Sequence, residues 1–108
     1  MLQKKHRADK KAIEKIFKEG KFIVSPSLTF KYFKDQGNQE VKISFIAPKS
    51  VVKLAVKRNS LRRLGYRVLE KYINQFPLGI TGVFVFKKYQ EDILILENEI
   101  KTILAKIN

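Results

Sequence analysis

The feature that most constrains the fold is a nearly continuous run of apolar residues from Gly82 to Phe86. A strand that is apolar on both of its sides must be covered on both faces, as happens at the centre of a sheet. A sheet with such a strand buries its faces against helices packed on it. The run therefore predicts a layered fold of helices on a sheet, with residues 82–86 in the middle of that sheet.

Three other segments have the apolar spacing of helices. Residues 10–19 place three apolar side chains at this spacing, and Asp9 and Gly20 are suited to begin and end that helix. A second helix is predicted over about residues 50–75. A third covers the last segment, although its start at Ile93 also has strand character.

Short stretches of β-prone or alternating residues predict the remaining strands. They are residues 22–24, residues 28–33 and residues 41–45, and the polar turn at 35–38 makes the last two a predicted hairpin. The predicted order is α-β-β-β-α-β-α. Residues 1–108 are thus expected to form one domain, an α/β (α+β) sandwich with a mixed sheet of about four strands.

The net positive charge of the chain indicates which kind of molecule it binds. The chain has 23 Lys and Arg against 10 Asp and Glu, a formal net charge of +13. No acidic residue lies between Glu40 and Glu70, whereas the segment from Glu91 onward is more acidic than basic. Such a balance favours a polyanion, with nucleic acid ahead of an anionic membrane surface or an acidic protein. The cations of the acid-free interval are Lys42, Lys49, Lys53, Lys57, Arg58, Arg62, Arg63 and Arg67.

The second predicted helix separates apolar from cationic side chains. Leu61, Val68 and Tyr72 recur on one side. At 100° per residue the opposite sector holds Asn59, Arg62, Arg63, Tyr66 and Arg67. Guanidinium groups fork onto phosphate oxygens, and aromatic rings can stack on unpaired bases, which favours RNA over duplex DNA. The candidate stacking residues are Phe17, Phe30, Tyr32, Phe33 and Tyr66.

Composition excludes several enzyme classes. The chain contains no Cys and a single His, His6, so thiol nucleophiles, zinc–thiolate sites and a Ser–His–Asp triad are not expected. No stretch approaches the roughly 20 apolar residues that span a bilayer, and residues 1–21 lack the apolar block of a signal peptide. We expect a cytoplasmic protein that is not bound to membranes.

One segment carries a specific resemblance. Between Ser44 and Tyr72 the matching residues are Lys49, Lys53, Ala55, Val56, Arg58, Asn59 and Arg63, with Arg62 in place of Lys. This spacing resembles the signature of the protein subunit of bacterial ribonuclease P, a Ser-Lys-Lys opening followed by Lys, Ala-Val and Arg-Asn-Arg-x-Lys-Arg. Residues 15–20 and Arg7 in a basic leader also match. The chain departs from the pattern at Ile13, Pro48, Ser50, Ser60 and Gly65-Tyr66.

The resemblance implies a fold similar to the second domain of ribosomal protein S5 and a function in tRNA maturation. A partner RNA would carry the active site and its Mg²⁺ ions, and would remove the 5′ leader of precursor tRNA. The protein would bind no cofactor, hold no metal, contribute no catalytic residue and need no protein partner. Alternatives are a ribosomal-protein-like structural domain and a self-sufficient nuclease.

The resemblance also assigns residues to two surfaces. The leader of precursor tRNA would lie in a cleft with Ile13, Phe17, Phe30 and Tyr32. The RNA would be bound by Arg7, Lys49, Lys53, Lys57, Arg58, Asn59, Arg62, Arg63, Tyr66 and Arg67.

Overall fold

The computed structural model describes residues 10–35, 37 and 39–107. The helices and strands follow the predicted order. They are α1 (Lys10–Glu19), β1 (Lys21–Val24), β2 (Leu28–Lys34), β3 (Lys42–Ile46), α2 (Ala55–Tyr72), β4 (Ile80–Phe86) and α3 (Ile93–Ile107), with a 3₁₀ turn (Ile73–Gln75) after α2.

The strands form one mixed sheet in the order β1-β2-β4-β3. β2 pairs antiparallel with β1 and with β4, whereas β3 and β4 are parallel. The predicted central place of residues 82–86 is confirmed, because β4 lies between two strands and is buried except at the half-buried Val85. The predicted α+β class is confirmed as well.

The predicted hairpin between β2 and β3 is wrong. β4 lies between these strands, so that Phe84 is opposite Phe30 on one side and opposite Phe45 on the other. A central strand must satisfy the hydrogen-bonding groups on both of its edges, and this position gives β4 two partners. α2 is then the crossover that two parallel strands require.

The helices lie on both faces of the sheet. On one face, which we call the α2 face, the ring of Phe84 stacks on Phe30 at 4.3 Å and on Phe45 at 4.9 Å. Residues of α2 and α3 complete this core. Because side chains alternate along a strand, Lys31 and Phe33 point to the other face. There they contact α1, and we call it the α1 face.

Close approach of α2 to the sheet depends on Gly65. A Cβ atom at this position would lie 2.5 Å from the ring of Phe45, well inside contact distance. The neighbouring Tyr66 is also buried, and its ring meets that of Phe45 edge to face at 5.2 Å. Gly65 therefore fixes how deeply the helix sits on β3.

Two helix boundaries agree with prediction and one does not. α1 spans the predicted residues 10–19, although the proposed cap Asp9 lies outside the described residues. Residues 93–96 are helical, because Asp92 Oδ1 accepts the Leu94 N–H at 2.9 Å and caps α3. α2 begins at Ala55 rather than near residue 50, since a turn binds the N–H groups of residues 51 and 52 to the Pro48 oxygen.

A buried acid joins α3 to the loop between β1 and β2. Oε1 of Glu99, a residue only 7% exposed, accepts hydrogen bonds from the Ser27 N–H at 2.7 Å and the Ser25 hydroxyl at 2.5 Å. The Lys87 ammonium donates to the Ser25 carbonyl at 3.2 Å. Glu99 is thus a structural residue, and the sequence pattern did not single it out.

Candidate RNA interface

The outward side of α2 carries the predicted cations in two groups. Arg58, Asn59 and Arg62 lie on the side that leads toward the buried Tyr66 and β3, and we call them the Arg62 row. Lys57, Arg63 and Arg67 lie on the side that faces the connection between β4 and α3. Lys57, Asn59, Arg63 and Arg67 are exposed, and Arg58 and Arg62 are half-buried.

Hydrogen bonds order the Arg62 row before any ligand binds. One guanidinium nitrogen of Arg58 donates to the carbonyl of Lys53 at 2.7 Å and to that of Val52 at 3.1 Å. These carbonyls precede the start of α2, so Arg58 fixes the turn that leads into the helix. The guanidinium of Arg62 donates to the side-chain oxygen of Asn59. A guanidinium has five N–H groups, so these bonds use only part of the donor capacity that each arginine can offer to phosphate oxygens.

Tyr66 is not part of this interface, which corrects the sequence prediction. The side chain is 7% exposed, and its hydroxyl accepts the Phe45 N–H at 3.1 Å. The angular position of residue 66 on α2 is close to that of Arg62, but the phenol extends inward against Phe45. A residue at the edge of a helix face can turn to either side, which helical periodicity does not resolve.

A cleft of about 310 Å³ runs along the second group of cations. We call it the Tyr89 cleft; Ser60, Leu61, Arg63, Leu64, Arg67, Tyr89 and Glu91 line it. The hydroxyl of Tyr89 donates to Glu91 Oε2 at 2.8 Å, and the Lys57 ammonium lies 5.4 Å from the centre of the Tyr89 ring. The hydrogen bond to Glu91 raises the pKa of Tyr89 above its ordinary value.

The α1 face carries a second candidate surface, of exposed apolar side chains and lysines. Phe17 of α1 is 49% exposed, and Phe22 and Val24 of β1 are 66% and 47% exposed. The Lys31 ammonium lies 4.4 Å from the centre of the Phe17 ring. Aromatic rings next to cations suit a single-stranded nucleic acid, because the rings stack on bases and the cations meet phosphates. Ile13, also predicted to contact the leader, is on α1 and is half-buried.

Phe30 does not belong to that surface, which is a second correction, whereas the half-buried Tyr32 lines a cleft with Glu19 at the end of α1 and with Phe33. Phe30 is fully buried between Phe84 and Tyr32, whose rings lie 4.3 and 5.2 Å away. Alternation along β2 places both residues on the α2 face, opposite to Phe17. Their neighbours Lys31 and Phe33 point to α1 instead. The period of two identified the strand, but not which set of side chains faced α1.

Three predicted RNA contacts lie outside α2. Lys49 and Lys53 are exposed in the turn that precedes α2. Arg7 lies outside the described residues. Sequence reasoning missed Phe22, Lys31 and Tyr89. Phe22 and Lys31 are in segments interpreted as ordinary strands, and Tyr89 stands alone in a loop, so no periodic signal marked them.

Groups suited to metal binding do not cluster in the described residues. Nowhere in those ranges do three or more His, Asp or Glu side chains come together as they would around a metal ion. A search of the same residues finds no helix long and apolar enough to cross a membrane.

Comparison with known proteins identifies the family and supports the fold. A family model described as Ribonuclease P matches residues 2–108. The fold is similar to an RNase P protein from Thermotoga maritima, at 18% identity and a TM-score of 0.81 over 94% of this chain and 97% of that one. It is also similar to the Staphylococcus aureus RNase P protein, at 17% identity and a TM-score of 0.79 over 94% and 96% of the two chains. No curated protein sequence gives a significant match.

The mixed sheet and the three helices define a small α+β protein, and the family whose model matches nearly the whole chain implies an RNA partner. The chain belongs to the ribonuclease P family, and it acts in tRNA 5′ processing as the protein subunit of an endonuclease ribonucleoprotein.

Proposed function

We propose that the RNA partner of this chain carries the catalytic site, and that the protein binds both this RNA and precursor tRNA. The α2 cations would hold the catalytic RNA, and the α1 face would hold the single-stranded 5′ leader. Mg²⁺ would act in the complex through ligands on the RNA. Because its substrate would be precursor tRNA, we place the complex in the cytoplasm.

One observation carries this proposal, the separation of two unlike surfaces. The cations of α2 lie on the outward side of a helix whose inward side packs on the sheet, whereas exposed aromatic rings and lysines lie on the opposite face. A folded RNA with a dense phosphate backbone suits the cationic surface. An unpaired strand, whose bases are free to stack, suits the aromatic surface.

A leader-length series tests the division of roles. The protein should be assembled with its cognate ribonuclease P RNA, and binding measured for precursor tRNAs with leaders from zero to several nucleotides. We expect affinity to rise with leader length and the Mg²⁺ requirement of cleavage to fall when the protein is added. Affinity that is independent of leader length would instead support a ribosomal-protein-like structural role.

Matched variants assign the leader to the α1 face. Phe17→Ala should abolish most of the gain from a longer leader, about tenfold in affinity, because one stacking contact is lost. Leu78→Ala is the control, since Leu78 is 62% exposed but lies before β4, outside both surfaces. Equal effects of the two substitutions would contradict the assignment.

Catalysis by the RNA has its own test. The protein without RNA should not cleave precursor tRNA at any Mg²⁺ concentration, whereas the RNA alone should cleave it at high Mg²⁺. Cleavage by the RNA-free protein would refute this part of the proposal and revive the self-sufficient nuclease.

A further inference from the structure

The Tyr89 cleft contains an exposed aromatic ring beside the α2 cations. In the described residues three aromatic side chains are markedly exposed, and two of them, Phe17 and Phe22, lie on the α1 face. Tyr89, 40% exposed, follows β4 and stands next to α2 instead. Burial in the core therefore does not explain this ring, and the two surfaces described above do not include it.

The cleft has room for a base beside this ring. Its volume of about 310 Å³ is open toward solvent, and the short side chain of Ser60 lies along one wall. The Ser60 hydroxyl donates to the Val56 carbonyl at 3.1 Å and so turns back onto the helix. Leu61 and Leu64 supply an apolar floor. An aromatic base is flat and largely apolar on its faces, which suits a cleft of this kind.

The cleft lies between cations on α2 and a carboxylate on the connection from β4 to α3. Arg63 and Arg67, one helical turn apart, line it from α2, whereas Glu91, which accepts the Tyr89 hydroxyl, lines it from that connection. Counting Lys57 over the ring, three cations face one carboxylate. A phosphate is attracted to the arginines and repelled by Glu91, so a nucleotide would enter with its base toward Tyr89 and its phosphate toward Arg63 and Arg67.

The ring itself can be reached by a base. Lys57 holds its ammonium 5.4 Å from the ring centre in a contact exposed to solvent, and such cation–π contacts are weak. A phosphate would draw this ammonium away and free the ring face. Glu91 holds the hydroxyl at 2.8 Å and thereby restrains the orientation of the ring before the base arrives.

We propose that the Tyr89 cleft binds one unpaired nucleotide of the RNA partner, with its base stacked on Tyr89 and its phosphate held by Arg63 and Arg67. A duplex cannot use the site, because its bases are already stacked and paired. The proposal rests on the proposed function, and it adds a site on the protein that recognises an unpaired nucleotide of that RNA.

The first experiment measures binding of the full-length protein to its cognate ribonuclease P RNA over a range of salt concentrations. Tyr89→Leu keeps an apolar side chain but removes the ring, and we expect about tenfold weaker binding with an unchanged slope of log K against log salt. Tyr89→Phe keeps the ring and should bind within about twofold of the wild type. Leu94→Ala, at an exposed residue near the start of α3, is the control outside the cleft.

The second experiment locates the nucleotide directly. p-Azidophenylalanine at position 89 should crosslink to one short unpaired segment of the RNA, and the same group at position 94 should not crosslink to that segment. Crosslinks that fall in paired regions, or the absence of crosslinks from position 89, would overturn the proposal. Equal binding by Tyr89→Leu and the wild type would also overturn it.

The wild type separates failure of this site from failure of the proposed function. If the wild type prefers its cognate RNA over an unrelated RNA of equal length, and Tyr89→Leu binds equally well, only the Tyr89 cleft is refuted. If the wild type shows no such preference, the proposed function fails and the cleft proposal with it.

Discussion

At the scale of single residues, Glu99 is a buried acid that fixes the loop between β1 and β2. Its carboxylate accepts from the Ser27 N–H and the Ser25 hydroxyl inside the protein, while its other oxygen, Oε2, is buried with no hydrogen-bond partner among the described residues. A buried polar group that loses its partner costs about 1–3 kcal/mol. The residue is therefore expected to contribute to stability through the loop it fixes rather than through charge.

Replacing Glu99 tests this role. Glu99→Ala should lower the free energy of unfolding by about 2 kcal/mol, because the Ser27 N–H and Ser25 hydroxyl lose their acceptor. Glu99→Gln should cost less, since an amide oxygen can still accept from both donors. Urea denaturation measures the difference, with Lys101→Ala on the exposed side of α3 as the control. A Glu99→Ala variant as stable as the control would contradict the role.

Tyr72 gives a pH-dependent prediction at the same scale. Its hydroxyl donates to Glu97 Oε1 at 2.6 Å, and this bond, with smaller contributions from burial and the negative charge of Glu97, raises the pKa of Tyr72 above its ordinary value of 10.0. The bond therefore stabilises the fold below pH 10 and is lost as the pH rises through the raised pKa.

Glu97→Gln should return the pKa of Tyr72 toward its ordinary value, because the acceptor loses its charge. Ultraviolet difference absorbance of the phenolate measures the titration, and Tyr72→Phe identifies which step belongs to this residue. A Tyr72 step that stays in place in Glu97→Gln would mean that Glu97 is not the cause.

Single residues also show where sequence patterns lose information. The alternation in β2 could be assigned to a strand, but the choice between Phe30 and Lys31 as the residue facing α1 depends on which helix packs on which face. Tyr66 lies at the edge of a helix sector, where the packing of Phe45 and Gly65 decides its direction. Both choices are made by tertiary contacts, which a periodic pattern does not contain.

At the scale of elements, the pairing of β4 with β2 and β3 is the main departure from sequence expectation. A polar turn between two alternating strands favours a hairpin locally. The apolar run of β4 has two edges to satisfy, and its insertion between β2 and β3 gives it both partners. The strands themselves could therefore be predicted, whereas their neighbours follow from competition among distant segments.

Contact between α2 and β3 makes Gly65 sensitive to a single methyl group. Gly65→Ala would normally favour a helix, but its Cβ would meet the Phe45 ring at 2.5 Å. We expect the free energy of unfolding to fall by about 1–3 kcal/mol through overpacking. Gly37→Ala is the control, because the nearest atom that a Cβ there would meet in the described residues is Asp35 Oδ1, at 3.6 Å. Thermal unfolding of both variants measures the contrast, and equal stability would mean that Phe45 moves aside freely.

At the scale of the whole molecule, the charges that sum to +13 are distributed unevenly along the chain. The uneven placement, with cations along α2 and acids toward α3, could be predicted from the sequence. The Tyr89 cleft could not, because it arises where a loop meets a helix about 25 residues away along the chain, a proximity that only the folded chain creates.

Salt dependence measures how many α2 cations meet phosphates. If about six do so, log K for the RNA should fall with log salt at a slope near −4, from roughly 0.7 per contact. Arg62→Ala or Arg63→Ala should each make the slope shallower by about 0.7. The Lys101→Ala variant should leave it unchanged, since Lys101 lies on α3. An unchanged slope in the arginine variants would mean that these side chains stay solvated in the complex.

The position of α2 between two parallel strands links RNA binding to the order of folding. The strands β3 and β4 are neighbours in the sheet, but the whole of α2 separates them along the chain. Until β3 and β4 pair, the sheet against which α2 packs is incomplete, so the cations of α2 are not held in place. Pairing of segments so distant along the chain is a slow step. Forming α2 brings its mutually repelling cations together, so polyanions that screen this repulsion should accelerate refolding. The RNA partner would then help the protein to fold, by screening its cations while β3 and β4 pair, before the two function together.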